Sequence, residues 1–232
     1  MKNTVVIGGG SGIGKATVEQ LLNEGHQVFA TYNNTPIDIH HANLETAKFN
    51  VLEDEFPTEF LPDTIDALMY GPGKIDLKPF HRIPLENFID DYQLQVGGAI
   101  KTLQACFSKL KKGTDPSVVL FSTVAVQNGF PFHAQVASSK GAIEGITRSL
   151  AAEWAPTIRV NAIAPSLTHT PIADRLLSSE EKIQANADRH PLKKIGSAEN
   201  LAKTAVFLLT DASEWMTGQV LGVDGGKSSI AS

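Results

Sequence analysis

Three glycines lie between a short apolar run and a segment of helical period near the start of the chain. The apolar run covers residues 4–8, and the three glycines are Gly8, Gly12 and Gly14. They precede residues 15–23, where apolar side chains recur at helical spacing. Glycine permits a tight turn and lets the backbone approach a pyrophosphate, whose charge faces the N-terminus of the helix. A plain tight turn is the alternative. The position in a first strand–helix unit favours a dinucleotide-binding turn.

Short apolar runs alternate with longer helical segments along the rest of the chain. The predicted strands span residues 4–8, 27–31, 47–51, 65–70, 117–122, 158–164 and 220–223. The predicted helices span residues 15–23, 87–110, 138–154 and 199–209. This alternation predicts a parallel sheet covered on both faces, and no repeat or linker divides it. We therefore expect residues 1–232 to form a single-domain, Rossmann-like, doubly wound α/β fold with about seven strands flanked by helices.

Composition and charge argue against several classes of protein. The formal net charge of −5 and the lack of a basic run disfavour a nucleic-acid partner. Cys106 is the only cysteine, so no intrachain disulfide forms, which suits a reducing compartment. The apolar stretch at residues 4–7 is too short for a membrane span or signal peptide. Adjacent His40 and His41 lack the partners of a metal site. We expect a cytoplasmic protein that binds no metal, membrane or nucleic acid.

Several segments resemble the short-chain dehydrogenase/reductase family, in particular its 3-oxoacyl-ACP reductase-like members. Residues 5–14, VVIGGGSGIG, are similar to the family's TGxxxGIG motif. Residues 158–165, IRVNAIAP, resemble its IRVNxIxPG segment, with Ser166 at the glycine position. Residues 217–226 resemble its TGQxxxVDGG segment. The resemblance covers almost the whole chain and implies an NAD(P)(H)-dependent oxidoreductase that acts on a carbonyl or alcohol substrate.

The family's catalytic positions hold an altered set of residues here. Members use Asn, Ser, Tyr and Lys, and the resemblance implies Gln95, Thr123, Val136 and Lys140 at those positions. Val136 stands where the family's tyrosine phenol acts as the acid, and valine can neither donate nor accept a proton. His133 is the best substitute acid, because histidine exchanges a proton near neutral pH. A partly exposed loop histidine without a catalytic role is the alternative.

The resemblance also implies which residues hold the cofactor. NAD-preferring members place Asp at the end of the second strand, where this chain has Tyr32, followed by Asn33. The lack of a carboxylate removes repulsion against a 2′-phosphate, so NADP(H) is favoured and NAD(H) is the alternative. No Arg or Lys stands at Ser11 or Asn33, where a phosphate clamp is expected. The implied cofactor-binding residues are Gly8, Gly10, Ser11, Gly12, Ile13, Gly14, Tyr32, Asn33, Asn50, Val51, Gly71, Lys140, Pro165 and Thr170.

Three further expectations concern the substrate, the assembly and the function. Residues 167–195 correspond to the family's variable substrate loop and are predicted to close over the site as a lid. Members commonly pair the helices predicted here at residues 87–110 and 138–154, so a homodimer or homotetramer is expected. Two functions stay open. The chain is either an oxidoreductase that works with the altered set, or a catalytically impaired NADP(H)-binding protein with a sensing or partner-binding role.

Overall fold

The chain folds as a parallel sheet with helices on both faces in a computed structural model that describes residues 1–230. The strands are β1 (Asn3–Ile7), β2 (Gln27–Tyr32), β3 (Leu44–Lys48), β4 (Ala67–Tyr70), β5 (Ser117–Phe121), β6 (Arg159–Pro165), β7 (Thr168–His169), β8 (Gly196–Ser197) and β9 (Val220–Val223). The helices are α1 (Gly12–Asn23), α2 (Leu85–Tyr92), α3 (Gly98–Leu110), α4 (Ala134–Trp154), α5 (Glu180–Ala187) and α6 (Ala198–Leu209). Within residues 1–230, no helix is long and apolar enough to span a bilayer.

Seven parallel strands form the main sheet in the order β3-β2-β1-β4-β5-β6-β9. Ile7 pairs with Tyr70 and Phe121 pairs with Ile163, so the carboxyl ends of the central strands meet at one edge. The order of winding reverses at β1, and doubly wound sheets bind ligands in the crevice at such a point. The predicted fold class is confirmed.

Both faces of the sheet are buried, because successive residues of each strand point to opposite sides. Val5 packs in one cluster with Leu103 of α3, whereas Val6 packs in the other with Leu21 of α1. Each such side chain contributes about 1.5–3 kcal/mol when it is fully buried. These two layers fix the carboxyl edge of the sheet, on which the functional site is built.

The prediction of the third strand at residues 47–51 is wrong by three residues. Strand β3 lies at the edge of the sheet and pairs only with β2, and most of its side chains are exposed or half-buried. Buried Phe49 and Val51 lie just past its end. Because these two residues are apolar, the strand was predicted three residues too far along the chain. The connection at residues 33–43 contains no helix, which leaves this end of the sheet open.

The long helix predicted at residues 87–110 is present as one continuous helical segment at residues 85–110, but a π-helical turn at Gln93–Gly97 divides it into α2 and α3. The apolar side-chain pattern continues through this turn, so the turn could not be predicted from the pattern. Helix α4 begins at Ala134 rather than at the predicted residue 138. The two-stranded sheet of β7 and β8 was not predicted either. It forms between the two ends of the loop at residues 167–195.

Candidate active site

Two adjoining cavities open at the carboxyl edge of the sheet. The first has a volume of about 450 Å³ and the second about 560 Å³. They adjoin because five residues line both of them. These shared residues are Ile13, Gly71, Gly73, Thr170 and Ile172. The pair forms a crevice whose first part follows the glycine turn and whose second part follows the ends of β5 and β6.

All the residues implied as cofactor-binding line one of these two cavities. The first cavity is lined by Gly8, Gly10, Ser11, Gly12, Ile13, Gly14, Tyr32, Asn33, Asn50, Val51, Gly71 and Thr170. Lys140 and Pro165 line the second cavity. The sequence-based set therefore occupies one continuous surface, although its members come from many separate segments.

The glycine turn has no room for larger side chains. A Cβ atom on Gly10 would overlap the carbonyl oxygen of Thr35, and one on Gly14 would overlap the carbonyl oxygen of Gly8. Gly8 has a φ of +86°, which other residues rarely adopt. Helix α1 begins at Gly12, so its free N–H groups lie at this turn. A backbone surface of this kind, at a helix N-terminus, fits a dinucleotide pyrophosphate.

The first cavity is uncharged. Its lining contains no Asp, Glu, Lys or Arg, and Tyr32 and Asn33 offer only neutral hydrogen-bonding groups. Lys15 does not line it and instead lies 4.0 Å from Glu19, one turn further along α1. The lining therefore offers a cofactor at this end only neutral side chains and backbone groups.

The second cavity contains all five residues at the family's catalytic positions or proposed as their substitute. They are Gln95, Thr123, His133, Val136 and Lys140. Val136 is buried, and Lys140 lies one turn after it on α4. The side chains that could act on a substrate thus line the same cavity as the apolar Val136.

None of the three tyrosines lines this second cavity. Tyr32 lines the first cavity, and Tyr92 is 44% exposed on α2, outside the core. The Tyr70 hydroxyl donates to the carbonyl oxygen of Leu94 at 2.6 Å, and burial raises its pKa well above the ordinary value. Among residues 1–230, therefore, no tyrosine brings a phenol into the cavity that Lys140 lines.

Asp91 and Gln95 form a buried, hydrogen-bonded pair close to Lys140. The Gln95 Nε2 donates to Asp91 Oδ2 at 2.7 Å, and both residues are 1% exposed. A Cβ atom on Gly73 would lie 3.2 Å from Gln95 Oε1 and 3.7 Å from Lys140 Nζ, so these two atoms face the same small space. Within residues 1–230, Gln95 Oε1 has no hydrogen-bond partner. It is therefore free to accept from a donor in the cavity.

The electrostatics of Lys140 follow from this environment. Burial lowers the pKa of its ammonium group to about 8, although the Asp91 carboxylate acts in the opposite direction. Burial disfavours the charged form, whereas a nearby carboxylate favours it. Lys140 is therefore a group that can give up its proton near neutral pH. Gln95 lies at the π-helical turn, and such turns occur frequently at functional sites.

Thr123 presents a weakly held hydroxyl to the same cavity. Its Oγ1 donates to the carbonyl oxygen of Pro165 at 3.4 Å and accepts from the backbone N–H of Ala125 at 3.3 Å. The neighbouring Ser122 hydroxyl also lines the cavity, but it donates to Glu144 Oε1 at 2.8 Å. Of the two, Thr123 has the hydroxyl that is more available to a substrate.

The sequence analysis missed one pair of residues in the second cavity. Ser166 Oγ lies 2.9 Å from His190 Nε2, and both residues line the cavity. Their only sequence signal was that Ser166 replaces a glycine of the resembling motif. His133, in contrast, was identified, and its Nδ1 lies 2.8 Å from the carbonyl oxygen of Pro131. Within residues 1–230, no three His, Cys, Asp or Glu residues are grouped as metal ligands.

Comparison with known proteins establishes the family. The sequence profile described as enoyl-(acyl carrier protein) reductase matches residues 8–228. The chain belongs to the short-chain dehydrogenase/reductase family. L-xylulose reductase of Bos taurus is 30% identical over 97% of this chain and 96% of its own length. The 2,5-dichloro-2,5-cyclohexadiene-1,4-diol dehydrogenase of Sphingobium indicum is 29% identical over 99% and 98%.

Solved structures of short-chain dehydrogenases/reductases have the same fold. One from Francisella tularensis superposes with a TM-score of 0.89 at 28% identity and covers 99% of this chain and all of that one. The family membership inferred from the motifs is confirmed by these comparisons. The relatives named above are oxidoreductases of a sugar and of an alcohol, so the chain is a member of an oxidoreductase family.

Proposed function

We propose that this chain is an NADP(H)-dependent oxidoreductase that interconverts a carbonyl and an alcohol with an atypical active site. One observation carries the proposal. Thr123, Lys140 and Gln95 all line a cavity that adjoins the glycine cradle, so polar groups surround the place where Val136 replaces the phenol. The relatives, a xylulose reductase and a diol dehydrogenase, support this class of reaction.

The residues of the second cavity have different roles in the proposed reaction. When bound, the nicotinamide cofactor supplies or takes the hydride at the substrate carbon. The Thr123 hydroxyl donates a hydrogen bond to the substrate oxygen, and the Lys140 ammonium stabilises the negative charge that develops there. The Asp91 carboxylate favours the charged form of Lys140, and Gln95 Oε1 faces the same space as Lys140 Nζ. The proton comes from a side chain of the cavity, and His133 is the donor that the sequence suggests.

The uncharged lining at Tyr32 and Asn33 supports NADP(H) as the preferred cofactor, with NAD(H) as the alternative. Tyr32→Asp should reduce NADPH affinity about tenfold, because its carboxylate repels a 2′-phosphate and suits a free ribose diol. Fluorescence titrations with NADPH and NADH measure the change, and Tyr32→Phe is the matched control without a charge. An Asp variant that still prefers NADPH to the wild-type degree would contradict the assignment.

Val136 itself supports the second function, an impaired NADP(H)-binding protein with a sensing or partner-binding role. Val136→Tyr separates the two functions, because a phenol one helical turn before Lys140 restores the usual acid. If the substrate site is intact, kcat for ketone reduction should rise about tenfold, less than the full benefit of a general acid because other donors line the cavity. Val136→Phe is the control of similar size. No gain over this control would indicate a site that no longer accepts substrate.

The choice of a test substrate follows from the walls of the second cavity. Every charged side chain that lines it is basic, and most of the other lining side chains are apolar. The basic residues are Lys74, Lys140, Arg189 and Lys227. We therefore choose benzoylformate, an aromatic keto acid, as the carbonyl probe. Consumption of NADPH with benzoylformate supports the proposed function, whereas no binding of NADPH at millimolar concentration excludes both functions.

The same proposal includes a lid and an oligomer. Residues 167–195 bring Leu167, Leu176 and Arg189 to the wall of the second cavity, where a closing lid is expected to act. Leu85 and Ile89 on α2 are 69% and 50% exposed, and such apolar surface suits the expected homodimer or homotetramer. Light scattering of the purified protein measures the assembly directly.

A further inference from the structure

His190 is a buried histidine with a hydrogen bond at each ring nitrogen. It is 4% exposed, and its Nδ1 lies 2.8 Å from the backbone carbonyl oxygen of Asn186. A carbonyl oxygen only accepts, so Nδ1 carries the proton. In the neutral ring, Nε2 is then an acceptor, and it lies 2.9 Å from the hydroxyl of Ser166. The hydrogen bonds therefore fix the tautomer and aim the ring at Ser166.

Ser166 lies next to the proposed reaction site. It follows Pro165, whose carbonyl oxygen accepts from Thr123 Oγ1 at 3.4 Å and from the N–H of Val124 at 3.1 Å. The carboxyl ends of β5 and β6 thus bring Thr123 and Ser166 to adjacent positions. Both residues line the second cavity together with Lys140.

The loop that carries His190 is fastened to the C-terminal turn. Leu192 N donates to the carbonyl oxygen of Gly225 at 3.1 Å, and Lys227 Nζ donates to the carbonyl oxygen of Arg189 at 2.9 Å. A Cβ atom on Gly225 would lie 3.6 Å from His190 Cβ, so the ring packs directly on this turn. These contacts hold the imidazole at a fixed distance from Ser166 by packing and hydrogen bonds from two separate segments.

We propose that Ser166 and His190 form a proton relay that does the work of the absent phenol; this rests on the proposed oxidoreductase function. In reduction, NADPH is the hydride source, and the substrate oxygen takes the Ser166 hydroxyl proton. Ser166 takes a proton from Nε2 of the His190 imidazolium, which becomes neutral. The substrate thus gains one hydride and one proton. Oxidation of an alcohol runs the same transfers in reverse, with neutral His190 as the base.

The relay differs from His133 in how the ring is held. His133 stands at the entry to α4, beside exposed Phe132, and its Nδ1 lies 2.8 Å from Pro131 O. Its Nε2 makes no hydrogen bond among residues 1–230. His190 is coupled to a hydroxyl on the cavity wall, which is the arrangement that transfers a proton over a fixed path. Ser166 is the catalytic group in this proposal, and His190 positions and recharges it.

Replacement of Ser166 tests the relay without a large change in packing. Ser166→Gly introduces the residue that the family motif carries, and Ser166→Thr keeps the hydroxyl. With benzoylformate and NADPH, kcat of the Gly variant should fall about 10²-fold while KM and NADPH affinity change less than about twofold. The Thr variant should keep most of the activity. A Gly variant as active as wild type, when wild type is active, overturns the relay.

His190→Ala leaves a space open to the cavity that free imidazole can enter. Imidazole should restore at least about tenfold of the lost kcat, which a purely structural role does not explain. His169→Ala, an exposed position on the same loop, is the control and should match wild type. Absence of rescue in a folded, NADPH-binding His190→Ala protein counts against the relay.

A measurement on the protein without cofactor separates this proposal from the proposed function. In the neutral form of the His190 ring, ¹⁵N NMR should show the proton at Nδ1, with an Nε2 signal that shifts in Ser166→Gly because the hydrogen bond is lost. A neutral ring protonated at Nε2 instead of Nδ1, or an unchanged Nε2 signal, overturns the relay. If wild type instead shows the coupled ring but transfers no hydride to any carbonyl, the proposed function fails while the hydrogen-bonded pair stands.

Discussion

Replacing Lys140 with Met is expected to reduce kcat for carbonyl reduction about 10³-fold and to make the fold more stable at neutral pH. Catalysis falls because the substrate oxygen loses the ammonium group at the family's catalytic lysine position, which lines the second cavity. Stability rises because Met removes a partly desolvated charge from a half-buried position without removing the packing volume. Steady-state kinetics and urea unfolding of the same two proteins measure both effects.

The gain in stability has a defined dependence on pH. Burial lowers the pKa of Lys140 from 10.5 to about 8, so the unfolded chain binds more protons than the folded one between these values. The free energy of unfolding of the wild type therefore rises with pH across that window. The Met variant should be about 1–3 kcal/mol more stable at pH 7, and the difference should shrink towards pH 10.

A surface lysine provides the control for this prediction. Lys203 is exposed on α6, and Lys203→Met should change neither kcat nor the pH dependence of unfolding. A Lys140→Met protein that is less stable than wild type at pH 7 would show that the ammonium contributes favourably to the fold. A variant with wild-type kcat would remove Lys140 from the proposed reaction.

Gly10→Ala is expected to raise the Kd for NADPH at least about 100-fold, which corresponds to about 2.7 kcal/mol. The new Cβ overlaps the carbonyl oxygen of Thr35 and lies 3.2 Å from Tyr32 Cβ. Relief of this overlap must move residues 33–43, an exposed segment without a helix, so the sheet stays folded while the cradle changes shape. Fluorescence titration measures the affinity, and circular dichroism checks the fold.

The matched control for this substitution is Gly145→Ala on α4. A Cβ atom at Gly145 meets nothing within 4 Å, so the same chemical change is expected to leave NADPH affinity as it is. Unchanged affinity in Gly10→Ala would contradict the assignment of the glycine turn as the pyrophosphate site. Equal losses in both variants would point to a general effect on folding instead.

The parallel sheet could be predicted because its central strands are buried on both sides and therefore consist of continuous apolar runs. Val5 and Val6 belong to opposite clusters, so no alternation is visible between them. The edge strand β3 could not be located in the same way, because its side chains are largely exposed. The π-helical turn around Gln95 changes backbone hydrogen bonds and leaves the side-chain pattern intact.

Candidate site residues could be named where the family's motifs mark them, even on separate segments, but not where only the packing of the loop at residues 167–195 brings side chains together. The spacing of Val136 and Lys140 on one helix follows from the sequence, and the two side chains do line one cavity. The Ser166–His190 pair depends on how the loop at residues 167–195 packs against the C-terminal turn. No local sequence pattern indicates that packing, so His190 could not be recognised from the sequence as part of the candidate site.

The central claim, that this chain transfers a hydride despite Val136, is tested most directly by isotope transfer in a single turnover. Excess enzyme is mixed with benzoylformate and NADPH deuterated at one face of C4, each face in turn, and the mandelate is examined by mass spectrometry. Our account predicts that one of the two labelled cofactors yields mandelate carrying the deuterium. If the protein binds NADPH but leaves benzoylformate unreduced with both labelled cofactors, the result would contradict our account and would support the binding function.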